Sequence, residues 1–174
     1  ISALQERVLH DPEQFAVLLQ YLTVPVSEMF RDPPFFLSLR ESVVPLLRTY
    51  PSLKVWVAGC STGEEVYSLA ILLREEGLLE RTLIYATDIN PHTLQKAGAG
   101  VFELDRIAGF TDNHQRSGAR SSLSDYYTAA YGGAVFDKTL RQQVVFSGHS
   151  LATDSVFAEV QLILCRNVLI YFRR

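Results

Sequence analysis

Residues 54–97 run as a β-rich stretch, a glycine-bounded loop, an amphipathic helix, a second β-rich stretch and another helix. Lys54 to Ala58 (Lys-Val-Trp-Val-Ala) has the β-branched and aromatic content of a buried strand. Gly59-Cys60-Ser61-Thr62-Gly63 reads as a loop. Glu64 to Glu76 reads as a helix that turns Val66, Leu69, Ala70 and Leu73 inward and stops at Gly77. Leu83 to Thr87 is the next strand, and Asn90-Pro91 opens a helix to about Ala97. Strands that alternate with helices in this way build a parallel sheet with right-handed crossovers, so an all-α or all-β architecture is excluded.

The flanks are less regular. Asp11-Pro12 supplies an N-cap and first-turn proline for a helix with Phe15, Leu18, Leu19 and Leu22 on one stripe. After a polar break around Pro25, Asp32 can cap a second helix that carries Phe36, Leu39, Val43 and Leu46 or Leu47, bent or shortened by Pro45. Residues 98–141 are irregular, with a short helix expected around Ser124 to Tyr131. Val135–Lys138 and Gln142–Phe146 either pair as antiparallel strands, or the second of them is the next parallel strand. Val160 to Leu164 is a strong strand ending at Cys165-Arg166-Asn167. A sheet of about four parallel strands with no closing segment is short at one edge, so a piece of a longer protein is expected.

Composition narrows the function classes. The 174 residues are 48% apolar and 20% charged with a net charge of −3, which suits one folded domain and offers no general attraction to nucleic acid. No apolar run reaches the ~20 residues that cross a bilayer. Ile1 to His10 lacks the basic start and apolar core of a signal peptide, and the two cysteines form no framework, so a cytoplasmic setting is expected. The four histidines have no metal-ligand spacing, and no metal is expected.

The chemistry is expected at the strand tips. The Gly59–Gly63 loop leads into a helix N-terminus, yet it has neither the dinucleotide fingerprint nor a Gly-Lys-Ser/Thr, and Glu64 and Glu65 would repel a phosphate. Two acids there suit a ligand carrying an ammonium, or simply complement the helix dipole. Asp88 ends the second strand, where an acid binds ribose hydroxyls in nucleotide-binding α/β sheets; Asn90 is the better helix cap. Arg166 and Asn167 end another strand, so Gly59, Asp88 and Asn167 converge on one edge. Adenosine-type binding without a phosphate requirement points to S-adenosylmethionine.

Four blocks complete a resemblance. Phe30-Arg31-Asp32-Pro33, Ala58-Gly59-Cys60-Ser61-Thr62-Gly63-Glu64-Glu65-x-Tyr67-Ser68, Ala86-Thr87-Asp88-Ile89-Asn90 and Cys165-Arg166-Asn167-Val168-Leu169-Ile170-Tyr171-Phe172 together resemble the CheR-type chemotaxis receptor methyltransferases. The resemblance implies a Rossmann-like S-adenosylmethionine-dependent methyltransferase fold of class α/β. It implies the end of a helical N-terminal domain over residues 1–50 and a methyltransferase domain over 51–174, with a small antiparallel β-subdomain within about 100–146. It implies methyl transfer from S-adenosylmethionine to glutamate side chains on chemoreceptor methylation helices, leaving S-adenosylhomocysteine. Carried over by position, Arg31 lies near the methionine end and the methyl, Glu65 near the cofactor amino group and Asp88 at the ribose. Arg166 and Asn167 line the cofactor, Tyr171 stands beside the methyl, and Ser150 and Leu151 lie near the adenine.

Departures accompany the resemblance. Pro25, Ser27 and Met29 stand where the family often has Asn-x-Thr; Ser27 keeps a hydroxyl, and Ser150 replaces an asparagine. Because a glutamate carboxylate is already anionic at pH 7, the implied reaction needs positioning more than acid–base chemistry, with Arg31 and Tyr171 as the catalytic pair and neither as a base. A monomer without nucleic-acid or membrane partners is expected. The alternative is a non-catalytic or repurposed S-adenosylmethionine-binding signalling module.

Overall fold

The computed structural model describes residues 2–11, 14, 17, 18, 27–130 and 132–172, with the side chains of 2–4 and 171 left aside. Helix α1 (Ser2–His10) precedes Asp11, whose Oδ1 accepts from the Gln14 N–H at 3.4 Å, as an N-cap does. Most of the helix expected after it, together with Pro25, lies outside the described residues.

Strands β1 (Leu53–Ala58) and β2 (Thr82–Asp88) are joined by helix α4 (Glu64–Glu75), which follows two shorter helices, α2 (Pro33–Ser38) and α3 (Val44–Leu47). Helix α5 (Pro91–Ala99) follows β2, capped by Asn90, whose side chain accepts from the His92 N–H at 3.0 Å. Next come β3 (Val101–Glu103), α6 (Ile107–Arg116), β4 (Tyr127–Ala130), β5 (Gly133–Phe136), β6 (Val144–Gly148) and β7 (Leu162–Leu164). The main sheet has the order β6-β2-β1-β7 with every pair parallel. The open alternative for 142–146 is thereby settled: this stretch is the next parallel strand, with Ala86 facing Phe146. A second sheet, β3-β5-β4, is antiparallel, so the fold is the α/β methyltransferase type with a small antiparallel appendage.

Val55, Val57, Ile84, Ala86 and Leu164 are buried in the main core. Helix α4 is buried from Val66 to Leu73, more fully than a single apolar stripe predicts, because the small sheet lies against it as well. Tyr67 joins the two: its ring meets Phe102 at 5.4 Å and Phe136 at 5.7 Å, and its hydroxyl donates to the Ala97 carbonyl at 3.2 Å.

Three local expectations are corrected, and a fourth, at Pro45, takes a specific form. Asp32 does not cap α2 through its side chain; it has φ +59, and its carboxylate accepts from Arg166 instead. The bend or shortening expected at Pro45 takes the form of a change in winding, and the helix runs on to Leu47. A π turn (Leu39–Val43) precedes the proline, with the Val44 N–H reaching the Leu39 carbonyl, and this wider winding accommodates a ring that cannot donate. The expected helix at 124–131 is a 3-10 turn (Leu123–Tyr126) closed by a Ser122/Asp125 capping box, and Tyr127 then turns extended into β4. Helix α6 was expected as irregular chain. Its inner face is Ile107, Phe110 and His114, and a fully buried histidine hides the apolar period. Arg106 pairs with Glu64, Arg116 with Asp112 and Arg120 with Glu76.

Candidate functional site

In the main sheet the chain adds β2 and β6 on one side of β1 and β7 on the other, so the order reverses between β1 and β7. Ligands of open α/β sheets lie outside the carboxyl ends of the strands at such a reversal. A cavity of about 420 Å³ lies there. The residues at and after each strand tip line it: Gly59 to Ser61 after β1, Asp88 at the end of β2 and Ile89 after it, His149 to Ala152 after β6, and Arg166 to Val168 after β7. Ser27, Arg31 and Glu65 complete the wall on the helical side. Thus Ser27, Arg31, Gly59, Glu65, Asp88, Ser150, Leu151, Arg166 and Asn167, each singled out from the sequence, meet at one cavity. Tyr171 ends a 3-10 turn (Leu169–Tyr171) between Ile170 and Phe172, both on the cavity wall; its own side chain is among those left aside.

The strand tips are tied to each other by backbone. The N–H groups of Gly59 and Cys60 both donate to the Thr87 carbonyl at 2.8 Å, and the His149 N–H donates to the Asp88 carbonyl at 3.1 Å. Gly59 has φ +74, and a Cβ on it would stand 2.4 Å from Val168 Cγ2. Only glycine lets the β1 tip pass beneath the β7 tip here.

Asp88 is held by two backbone donors, the Ser61 N–H on Oδ2 (2.8 Å) and the Asn90 N–H on Oδ1 (2.9 Å). A carboxylate has about four lone-pair positions, so the two oxygens keep acceptor capacity for a diol. The two adjacent acids diverge. Glu64 turns from the cavity to pair with Arg106 at 2.9 Å, while Glu65 lines it and pairs with Arg166 at 2.8 Å. Burial pushes the Glu65 carboxyl up, and the charge and hydrogen bond of Arg166, with the Arg31 charge, oppose that rise.

Arg166 acts as a latch. Its Nη1 donates to Glu65, and its Nη2 donates to Asp32 Oδ2 (2.7 Å) and to the Arg31 carbonyl (2.9 Å). Its guanidinium lies 4.2 Å from the centre of the Phe35 ring. It therefore fastens the β7 tip to the segment carrying Arg31. That segment is strained: Phe30 has φ +50 and Asp32 φ +59. Among the described residues the other non-glycine positive φ values are at Ser61 and Asn167, both on the cavity wall. Left-handed backbone without glycine costs about 1–3 kcal/mol per residue and gathers at functional sites. Phe30 is retained by a 2.8 Å hydrogen bond from its N–H to Ser68 Oγ and by edge packing on Phe36 at 5.1 Å.

Sequence reasoning missed Glu28, Ile89, His149, Val168 and Phe172 as wall residues. Each of these lies within two positions of a singled-out residue, which was the available signal; Thr93, also on the wall, comes from helix α5 and had no such neighbour. His149 also belongs to an aromatic group behind the cavity, with Trp56 at 5.4 Å and Phe157 at 5.2 Å.

The donor set fits S-adenosylmethionine by its chemistry. Asp88 offers lone pairs to a diol, Glu65 offers an anion to an ammonium, and Ile89, Leu151 and Val168 offer apolar contact to a purine. Comparison with known proteins agrees. The profile of the CheR methyltransferase S-adenosylmethionine-binding domain matches residues 25–174. The Pseudomonas putida protein Cher3 is 66% identical over 174 residues, which is 100% of this chain and 64% of that protein. A 104.1 kDa protein of Rhodobacter capsulatus is 34% identical over 181 residues, covering 99% of this chain and 18% of that protein. A chemotaxis protein methyltransferase of Listeria innocua is 33% identical over 156 residues, covering 88% of this chain and 56% of that enzyme. The chain spans less than two thirds of the length of each of these relatives. It belongs to the CheR methyltransferase family, as a domain whose cofactor is S-adenosylmethionine.

Proposed function

We propose that the protein methylates glutamate side chains on chemoreceptor cytoplasmic helices, acting as a monomeric cytoplasmic protein-glutamate O-methyltransferase. The observation that carries this reading is the convergence of Arg31, Glu65 and Asp88 on one cavity at the sheet reversal. The name of the Listeria innocua relative, a chemotaxis protein methyltransferase, supports it.

When bound, the cofactor supplies a sulfonium methyl that a carboxylate takes up without proton transfer, leaving a neutral thioether. This chain's residues then have three tasks. Asp88, aimed by the Ser61 and Asn90 N–H groups, receives the ribose hydroxyls. Glu65, whose charged form Arg166 favours against burial, receives the ammonium of the methionine end. Arg31 orients the incoming carboxylate, held in place by the strained 30–32 backbone and the Arg166 latch. Tyr171 is proposed beside the methyl, and Ser27, Ser150, Leu151 and Asn167 as cofactor contacts. No side chain is needed as a base, because the acceptor is ionised at pH 7.

Calorimetric titration with S-adenosylhomocysteine, followed by transfer of labelled methyl to a chemoreceptor cytoplasmic fragment, tests the reading. Binding with base-labile label on glutamate is expected. Binding without transfer would reduce the protein to a cofactor-binding signalling module, and no binding would overturn the site itself.

A further inference from the structure

We propose that Arg106 is a positioning residue for the cofactor: from outside the cavity it clasps the 27–32 segment to the loop after β1, and so fixes the wall that S-adenosylmethionine meets. The proposal rests on the cavity being the cofactor site, and not on which acceptor is methylated.

Arg106 ends a 3-10 turn (Leu104–Arg106) between β3 and α6 and is not itself on the cavity wall. Its guanidinium uses both arms of its fork. Nη1 donates to Glu64 Oε1 at 2.9 Å, and Nη2 donates to the Ser27 carbonyl. The guanidinium lies over the buried Phe110 ring, 4.8 Å from its centre. A stacked, planar fork holds two acceptors in a fixed relation, which a point charge on a flexible stem does not.

The two acceptors lead to different parts of the wall. Ser27 is a wall residue on the helical side. Glu64, with 1% of its side chain exposed, accepts from Thr62 Oγ1 at 2.6 Å on its other oxygen, and Thr62 follows the wall residue Ser61. The chain Thr62–Glu64–Arg106–Ser27 therefore ties the loop after β1 to the start of the segment that carries Arg31. Further anchors follow along its backbone. Asn113 Nδ2 donates to the Met29 carbonyl at 3.2 Å, the Phe30 N–H donates to Ser68 Oγ at 2.8 Å, and Arg166 donates to the Arg31 carbonyl at 2.9 Å. Arg106 thus holds the segment at Ser27, and Arg166 holds it at Arg31. A wall fixed before the cofactor arrives has less to lose in order on binding, so releasing the Ser27 end weakens the complex.

The test compares wild type, Arg106→Met and Arg106→Lys by calorimetric titration with S-adenosylhomocysteine, thermal unfolding, and hydrogen exchange over residues 27–32. Arg106→Met loses both bonds. Its Kd should rise about tenfold, exchange over 27–32 should quicken about threefold or more, and Tm should fall. In Arg106→Lys the ammonium takes the buried Glu64 carboxylate, whose unpaired state is the costlier one, and leaves the Ser27 carbonyl unheld. This variant should recover most of the lost Tm while its Kd stays within about twofold of that of Arg106→Met. A salt bridge that serves stability alone predicts an affinity that follows Tm and returns with lysine, and that result overturns the proposal. So does weaker binding without faster exchange over 27–32, or wild-type affinity in both variants. If Arg106→Met does not fold, Arg106→Lys decides: wild-type affinity overturns the proposal, and about tenfold weaker binding with faster exchange upholds it. A wild type that binds no S-adenosylhomocysteine overturns the cofactor site and this proposal with it, whereas one that binds it without transferring methyl leaves the role of Arg106 standing.

Discussion

Replacing Arg166 by methionine keeps most of the side-chain volume and removes the charge that fastens β7 to the Arg31 segment. The Glu65 partner is largely buried, with 16% of its side chain exposed against 14% for Arg166. Breaking a fully buried pair costs about 3–5 kcal/mol, and this pair at the rim of a cavity is expected at the lower end or just below, about 2–3 kcal/mol. The Asp32 pairing adds little, because 65% of that side chain is exposed, and the lost stacking on Phe35 adds about 0.5–1 kcal/mol. For a chain of this size the total of about 3 kcal/mol lowers Tm by about 6–12 °C. The variant also loses the strongest influence holding the Glu65 carboxyl down against burial. A carboxylate whose ionisation is shifted upward takes up its proton earlier as pH falls. Calorimetry with S-adenosylhomocysteine should therefore show an affinity that begins to fall at a higher pH in Arg166→Met than in wild type as the solution is acidified. Arg166→Lys restores a charge without the fork geometry and should fall between the two. Unchanged affinity with an unchanged pH profile in Arg166→Met would refute the reasoning about Glu65 and the latch together.

Three further outcomes are expected. Gly59→Ala should cost about 1–2 kcal/mol from its left-handed backbone, plus the collision with Val168; adding Val168→Ala should recover only the steric part, as read by thermal unfolding. Burial alone would raise the Glu75 carboxyl, but hydrogen bonds from His114, Ser121 and Arg40 outweigh it and hold the group at about 2. The stabilisation it gives, about 2–3 kcal/mol, is present above the ordinary glutamate range near 4.5 and lost as pH falls toward 2, so acid unfolding curves of Glu75→Gln should be flatter there. Asn90→Ala removes the cap of α5 and should cost about 1 kcal/mol in urea unfolding, with a smaller effect on cofactor affinity because the Asn90 N–H still reaches Asp88.

The central sheet and the site were legible because both follow short-range rules. Strands β1 and β2, helix α4 and the Asn90 cap each announce themselves within a dozen residues. The placement of Gly59, Asp88 and Asn167 then follows from the rule that ligands gather at parallel strand tips. What could not be read depends on distant partners. The divergence of Glu64 and Glu65 is decided by Arg106 and Arg166, which lie 42 and 101 residues away. The latch on the Arg31 carbonyl spans 135 residues. Helix α6 escaped notice because His114, with no surface exposed, occupies a position that a hydrophobic period assigns to an aliphatic residue. Asp32 looked like a cap because aspartate before proline usually is one; its left-handed backbone serves Arg166 instead.

A crystal structure with S-adenosylhomocysteine bound measures the central claim most directly. The nucleoside should lie across the tips of β1, β2, β6 and β7, with its ribose hydroxyls on Asp88 and its amino group against Glu65. Density for it anywhere else, or a ribose without contact to Asp88, would contradict the account.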